Sequence, residues 1–308
     1  MGILSSTDLD VSRLCLGGNV FGWTAGEDQS FAVLDAYAAA GGNFVDTADA
    51  YSAWAEGNSG GESETIVGRW LAKRADRDRI VVATKVGMLT RFDNQKRDTV
   101  LTGAERSLKR LGLDHIDLYY NHRDDLDTPL EETLAAYDQL VREGKVRYVA
   151  ASNFSAERLA EALAIQEREG FAKFVALQPE YNLVSRAKFE GALQRTVAEH
   201  GLATLPYSSL AKGFLSGKYR PGVKVESVRA QAASQYLDEH GLTVLEVLDE
   251  LAETHATTVS AVALAWLAQQ PTVAAPIASA RTLEQLNDLL PVLDLELAQD
   301  EVDRLSAI

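Results

Sequence analysis

Four polar residues stand at or just beyond the ends of apolar runs: Asp46, Tyr51, Lys85 and His122. Asp46 follows Asn43-Phe44-Val45, and Tyr51 comes one loop turn later. Lys85 closes Ile80-Val81-Val82-Ala83-Thr84, and His122 closes Ile116-Asp117-Leu118-Tyr119-Tyr120-Asn121. A carboxylate, a phenol, an ammonium and an imidazole brought together can supply general acid catalysis with electrostatic support. A free phenol, with a pKa of about 10, is a poor acid at neutral pH. An ammonium about 4 Å away at an effective dielectric of about 20 favours the phenolate by about 4 kcal/mol before desolvation. Lys85 is therefore expected to draw the Tyr51 pKa down. A charged lysine at the end of an apolar strand needs a partner, which Asp46 can provide. His122 can then orient a carbonyl oxygen.

Singly, these residues have other readings. Asp46 suits a turn or a helix cap, and Tyr51 suits core packing. Lys85 suits a Schiff-base lysine. His122 suits a satisfied loop histidine or a metal ligand. No HxH or HExxH spacing occurs in the sequence, and no metal site is expected.

The positions of the four imply the elements that hold them. Short β-branched runs at 11–17, 43–48, 80–85, 116–121, 146–152, 174–179, 202–207 and 273–279 read as strands. Helical periodicity falls near 28–40, 61–74, 99–111, 130–143, 156–169, 188–200, 241–254 and 258–269, with a last pair at 282–289 and 298–306. Eight strands separated by helices argue for parallel pairing through right-handed crossovers. The expected fold is α/β, a (β/α)8 TIM barrel, whose chemistry sits at the C-terminal ends of the strands. Ser155 reads as an N-cap, and Thr128-Pro129 opens a helix with Pro129 in its first turn. Gly41-Gly42, Gly112, Gly144, Gly170 and Gly201 fall where left-handed C-caps belong. Residues 209–240, after the seventh strand, form a connection long enough to be functional. No linker or low-complexity tract divides the chain, so 1–308 is expected to form a single domain.

The 308 residues are 46% hydrophobic, enough for a large core. A net charge of −15 argues against nucleic acid and anionic membrane surfaces as partners. Cys15, the only cysteine, reads as a small buried hydrophobe. The lack of disulfides, of a membrane-length apolar run and of a signal-peptide pattern leads to an expected cytoplasmic location. Within this acidic chain, residues 209–229 reverse the sign, with Lys212, Lys218, Arg220, Lys224 and Arg229 against Glu226 alone. Glycines 213, 217 and 222 would let backbone amides approach an anion there.

Longer motifs carry a resemblance. Gly41–Tyr51, Gly61-Glu62-Ser63-Glu64, Thr84-Lys85, Ser107–Leu111, Asp117–His122, Gly144–Tyr148, Ser152-Asn153-Phe154, Gln178–Asn182 and Gly213–Tyr219 follow one another in order. Through them the sequence resembles the aldo-keto reductase family over essentially its whole length, and within it the bacterial branch related to potassium-channel β-subunits. The resemblance implies a barrel with a short N-terminal hairpin, here Leu4–Val11, that binds NADPH/NADP+ without a Rossmann fold. It implies Tyr51 as proton donor, Lys85 and Asp46 as its tuners, and His122 as the guide of the carbonyl.

The resemblance also implies a cofactor site. Gly18, Asn19 and Asp46 approach the nicotinamide end; Ser152, Asn153 and Gln178 bind the carboxamide; Tyr207 stacks under the ring. Ser208, Leu210, Lys212, Gly213, Leu215, Gly217 and Lys218 lie over the pyrophosphate. Ile277, Ser279, Arg281 and Gln285 hold the adenosine and 2′-phosphate. Arg281 favours NADPH over NADH, an arginine fork suiting a phosphate dianion. Ala278 stands where relatives commonly have glycine, and Asp288-Leu289 where they often have Glu-Asn. The substrate pocket is expected from Trp23, Trp54, His122 and Arg123. The implied function is reduction of aldehydes or ketones, keto-sugars among them, by a monomer or homo-oligomer. The alternatives are a cofactor-binding regulatory subunit with vestigial turnover and a Schiff-base lyase using Lys85.

Overall fold

The computed structural model describes residues 2–308. The chain opens with an antiparallel hairpin, β1 (Gly2–Ile3) and β2 (Asp10–Val11). Eight parallel strands follow: β3 (Cys15–Gly17), β4 (Phe44–Asp46), β5 (Val81–Val86), β6 (Ile116–Asn121), β7 (Val146–Ser152), β8 (Phe174–Gln178), β9 (Ala203–Thr204) and β10 (Ile277–Ala278). Their order in the sheet is β10-β3-β4-β5-β6-β7-β8-β9. The last seam closes through backbone bonds from Thr204 N–H to Thr272 O (2.7 Å), Ala274 N–H to Thr204 O (3.0 Å) and Ile277 N–H to Pro206 O (2.9 Å). The result is the expected (β/α)8 barrel.

The helices packed outside include α1 (Glu27–Ala39), α2 (Glu62–Leu71), α3 (Arg97–Leu111), α4 (Leu130–Arg142), α5 (Ala156–Glu169) and α6 (Ala192–Glu199). Further on lie α7 (Ala230–Ala233), α8 (Glu239–Thr254), α9 (Val259–Ala268), α10 (Leu283–Leu289) and α11 (Gln299–Ser306). Their inward stripes follow helical spacing: α4 buries Leu130, Thr133, Leu134, Tyr137 and Leu140. α9 is buried from Ser260 to Leu267 and lies between other helices. No helix among the described residues is long and apolar enough to cross a membrane.

The barrel interior is a second core, filled by Cys15, Phe44, Val81, Ala83, Leu118, Tyr120, Ala176 and Ile277. Leu4, Leu9 and Val11 of the hairpin join it and stop its N-terminal end. Arg147 pins that plug, bonding Asp8 and Asp117 at 2.7 Å each.

Several expected boundaries move for local reasons. The run 11–17 is two strands, one in the hairpin and one in the barrel. The runs 202–207 and 273–279 shorten at Pro206 and Pro276, which have no N–H for a regular ladder. The helix expected from 188 begins at Ala192, since Gly191 has φ +95°. Pro129 occupies the N-cap position of α4, and the Thr128 hydroxyl bonds Asp125 at 2.6 Å. Ser155 caps α5 by accepting from Arg158 N–H. The connection 209–240 contains a 3-10 segment, Ala211–Ser216, and α7.

Candidate active site

Register places the four reactive residues. Asp46 ends β4 opposite Ala83 of β5, and Lys85 lies two residues beyond Ala83 on the same face. Ala83 faces the barrel interior, so Lys85 does too, at the C-terminal rim. Lys85 Nζ donates to Asp46 Oδ2 at 2.6 Å, to Thr47 O at 2.8 Å and to Tyr51 Oη at 2.9 Å. Tyr51 donates to Asp46 Oδ2 at 3.2 Å. Gln178, ending β8, donates from Nε2 to Asp46 Oδ1 at 3.0 Å. Lys85 and Asp46 are 0% and 1% exposed, so this pair has left water and is held by geometry. All three Lys85 donors are used, whereas a Schiff-base nucleophile needs a neutral, unpaired amine.

His122 lies just past β6, its ring edge-on to Tyr51 with centroids 6.1 Å apart. Its Nδ1 is buried and has no hydrogen-bond partner among the described residues. Burial and the charges of Lys85 and Arg123 hold its pKa well below the usual histidine value, so the ring is neutral. The Tyr51 phenol runs against expectation. Burial raises its pKa well above 10, and the Asp46 charge and hydrogen bond raise it further. Burial also lowers the Lys85 pKa, against the opposing pull of Asp46.

Two adjoining cavities of about 310 Å3 each form a groove running outward from this cluster. The inner one is lined by Gly17, Asn19, Tyr51, Met88, His122, Ser152, Asn153, Gln178, Tyr207, Ser208 and Ile277. One wall is knitted together. Ser152 Oγ donates to Gln178 O (2.9 Å), Asn153 Nδ2 to His122 O (3.0 Å), and Tyr207 Oη to Asn153 Oδ1 (2.8 Å). On the opposite wall Ser279 Oγ bonds Asn19 Oδ1 at 2.8 Å. Leu210, Lys212, Gly213, Arg229 and Ser279 line both cavities.

The outer cavity adds Lys218, Arg281, Glu284, Gln285, Asp288 and Leu289. Lys212, Lys218, Arg229 and Arg281 make no ion pair among the described residues. Burial, and after it the neighbouring Arg281, lower the Arg229 pKa. Beneath this stretch Ser208, Ala211 and Lys212 have φ of 53°, 47° and 58°. Left-handed non-glycine residues are strained and gather at functional sites.

Some expected residues lie elsewhere. Gly18 is packed behind the groove, its N–H on Asp46 O and its carbonyl accepting from Ser63 Oγ, while Gly17 faces inward. Leu215 is buried, and Gly217 forms a turn at φ +76°; neither lines the groove. Arg220 is tied to Asp249 of α8 at 2.7 Å, and Lys224 is away from both cavities. Arg123 Nη2 donates to Asp93 O at 2.9 Å and does not line the cavity. Trp54 and Trp23 meet edge to face at 5.5 Å, and Trp54 stands 6.3 Å from the Tyr51 ring, though neither indole lines the two cavities. Ser52 Oγ on Phe21 O (2.7 Å) and Asn58 Nδ2 on Gly22 O (2.9 Å) lock their two loops together.

Met88 was not anticipated, although it follows Lys85 by three residues in the loop after β5, a position that itself points to the site. Among the described residues no group of three or more His, Cys, Asp or Glu converges as a metal site.

The family pattern of the Aldo/keto reductase family matches residues 13–308. The chain is 34% identical to the uncharacterised oxidoreductase YrpG of Bacillus subtilis, over 99% of this chain and 94% of that protein. It is 32% identical to a probable voltage-gated potassium channel subunit beta of Oryza sativa subsp. japonica, over 99% and 95%. It is 31% identical to the L-glyceraldehyde 3-phosphate reductase of Escherichia coli, over 76% and 71%.

Proposed function

The chain belongs to the aldo/keto reductase family, oxidoreductases that act on carbonyls with nicotinamide cofactors, and from that premise we propose that it reduces aldehydes and ketones, keto-sugars among them, using NADPH with Tyr51 as the proton donor. The observation that carries this reading is the buried Asp46–Lys85–Tyr51 hydrogen-bond chain at the inner end of a groove whose outer half holds unpaired cations.

The groove suits such a cofactor. Neutral donors and acceptors from Ser152, Asn153, Gln178 and Asn19 suit a carboxamide, with Tyr207 as a ring platform. Lys212, Lys218 and Arg229 suit a pyrophosphate, and Arg281 with Gln285 suits a 2′-phosphate. When bound, the nicotinamide supplies the hydride. Tyr51 holds its proton until an alkoxide develops, because burial and Asp46 oppose the free phenolate. Once the proton leaves, the phenolate faces the Lys85 ammonium at 2.9 Å. Asp46 and Thr47 O keep that ammonium fixed. His122, as the neutral ring, can donate one hydrogen bond to the carbonyl oxygen and orient it. Trp23, Trp54 and Met88 form an apolar rim for the substrate body.

The test is oxidation of NADPH by purified protein with a reactive aldehyde such as 4-nitrobenzaldehyde. A second reading, a regulatory subunit with vestigial turnover, draws on the likeness to the rice channel subunit. A turnover near the typical enzyme range of about 1–1000 per second supports the reductase, and turnover far below it supports the regulator.

A further inference from the structure

We propose that Met88 is an oxidant-sensitive modification site of the active-site mouth: peroxides convert its thioether to the sulfoxide, and the modified side chain weakens carbonyl binding. The inference rests on the reductase reading for its effect on turnover, though not for the modification itself.

The sequence contains one cysteine and two methionines. Met1 lies outside the described residues. Cys15 is 0% exposed inside the barrel, where burial raises its thiol pKa well above the ordinary value. It is neither reachable nor a thiolate, and reactivity needs both. Met88 is 44% exposed and is the one accessible sulfur among the described residues.

Its position is set by the turn before it. Gly87 has φ +102°, and a Cβ there would sit 1.9 Å from Gln95 Nε2. That amide donates to Val86 O at 3.0 Å and closes the end of β5. Only glycine passes so close to Gln95 with that backbone, and the next residue lines the cavity beside Tyr51 and His122. The exposed Met88 side chain is thereby held in the wall of the cavity that Tyr51 and His122 also line.

The chemistry balances. The sulfur lone pair attacks one peroxide oxygen, an S–O bond forms and the O–O bond breaks. The proton of the attacked oxygen passes to the departing one, which leaves as water, or as an alcohol from an alkyl hydroperoxide. Sulfur is oxidised by two electrons and the peroxide is reduced by two. The product is polar and reversible by methionine sulfoxide reductases. Its oxygen is an acceptor placed in the cavity of Tyr51 and His122, where it competes with a substrate carbonyl, and it removes apolar surface from the rim.

The experiment treats the NADPH-bound protein with hydrogen peroxide, maps peptides by mass, and measures kcat, KM and NADPH affinity. The expected result is one added oxygen on the Met88 peptide and a KM for 4-nitrobenzaldehyde raised roughly tenfold. NADPH affinity should stay within about twofold, since the phosphate-binding half of the groove is untouched. Methionine sulfoxide reductase should restore KM. Met88→Leu, compared with its own untreated rate, should keep that rate through the treatment. An unmodified Met88 peptide overturns the proposal whatever the activity. Equal inactivation of Met88→Leu and the unaltered protein overturns it as well. A modified Met88 in protein that never reduces aldehydes supports the modification and counts against the reductase reading.

Discussion

At the inner end of the groove Lys85 spends all three donors on Asp46, Thr47 O and Tyr51, while at the outer end Lys212, Lys218, Arg229 and Arg281 make no ion pair among the described residues. The two ends carry similar chemistry and opposite bookkeeping. The inner charges are desolvated and complete each other within the protein, so their geometry exists before any ligand arrives. The outer cations have no carboxylate partner among the described residues; burial first, and Arg281 second, lower the Arg229 pKa, and an anion would offset both. Catalytic groups must be in place when the reaction starts. Binding groups gain from being left unsatisfied, because the relief of their repulsion adds to affinity.

Breaking the inner end should cost most. Lys85→Met leaves Asp46 buried without its cation, and loss of one partner of a buried pair typically destabilises by about 3–5 kcal/mol. Thermal unfolding should fall accordingly, and aldehyde reduction should drop by about a hundredfold or more. An unchanged melting temperature would mean that the pair is not completed within the protein.

Breaking the outer end should leave the fold alone. Arg281→Ala should weaken NADPH by about tenfold, a modest share for one charge-assisted phosphate contact, and NADH far less. Titration by cofactor fluorescence checks this, and equal losses would move the 2′-phosphate site elsewhere. Salt offers a milder probe. Raising ionic strength should weaken NADPH binding through the outer cations, which are exposed at Lys218 and half-buried at Lys212, Arg229 and Arg281, and leave the Tyr51-dependent kcat nearly constant, because fully buried pairs are screened least. A kcat that tracks salt as binding does would erase the distinction between the two ends.

The smallest effect concerns the exception at the inner end. Asp49 is 3% exposed, with Oδ1 unpartnered, and burial next to Glu64 pushes its pKa up to about 7 from 3.8. Between those values the unfolded chain is ionised while the folded one keeps its proton. Stability from this group is therefore present at low pH and lost as pH rises toward 7. Asp49→Asn should flatten that slope in melting temperature between pH 4 and 7. A slope unaltered by the substitution would mean that Asp49 titrates normally.

The barrel was legible because strand and helix periods alternate and because each strand length shows where its rim residue falls. Asp46, Lys85 and His122 could be read as neighbours from that alone. Contacts between distant segments could not. Arg220 reads as part of a basic loop, yet its partner Asp249 lies 29 residues on, past α7 and within α8. Gly17 and Gly18 are adjacent, and only the register of β3 against Asp46 decides which faces the groove. The direction of the Tyr51 pKa turned on burial, which outweighs the lysine at 2.9 Å and has no sequence signature. Met88 carries no periodic signal, since a tight glycine turn places it.

The central claim is that the inner end performs the proton transfer while the outer end binds. Tyr51→Phe removes one oxygen, an acceptor of Lys85, from the inner network and leaves the four outer cations in place. Its NADPH affinity and its rate of NADPH oxidation with 4-nitrobenzaldehyde test that claim together. The expected affinity lies within about twofold of the unaltered protein's, with a rate lowered by about a hundred- to ten-thousandfold. A rate equal to that of the unaltered protein would contradict that claim.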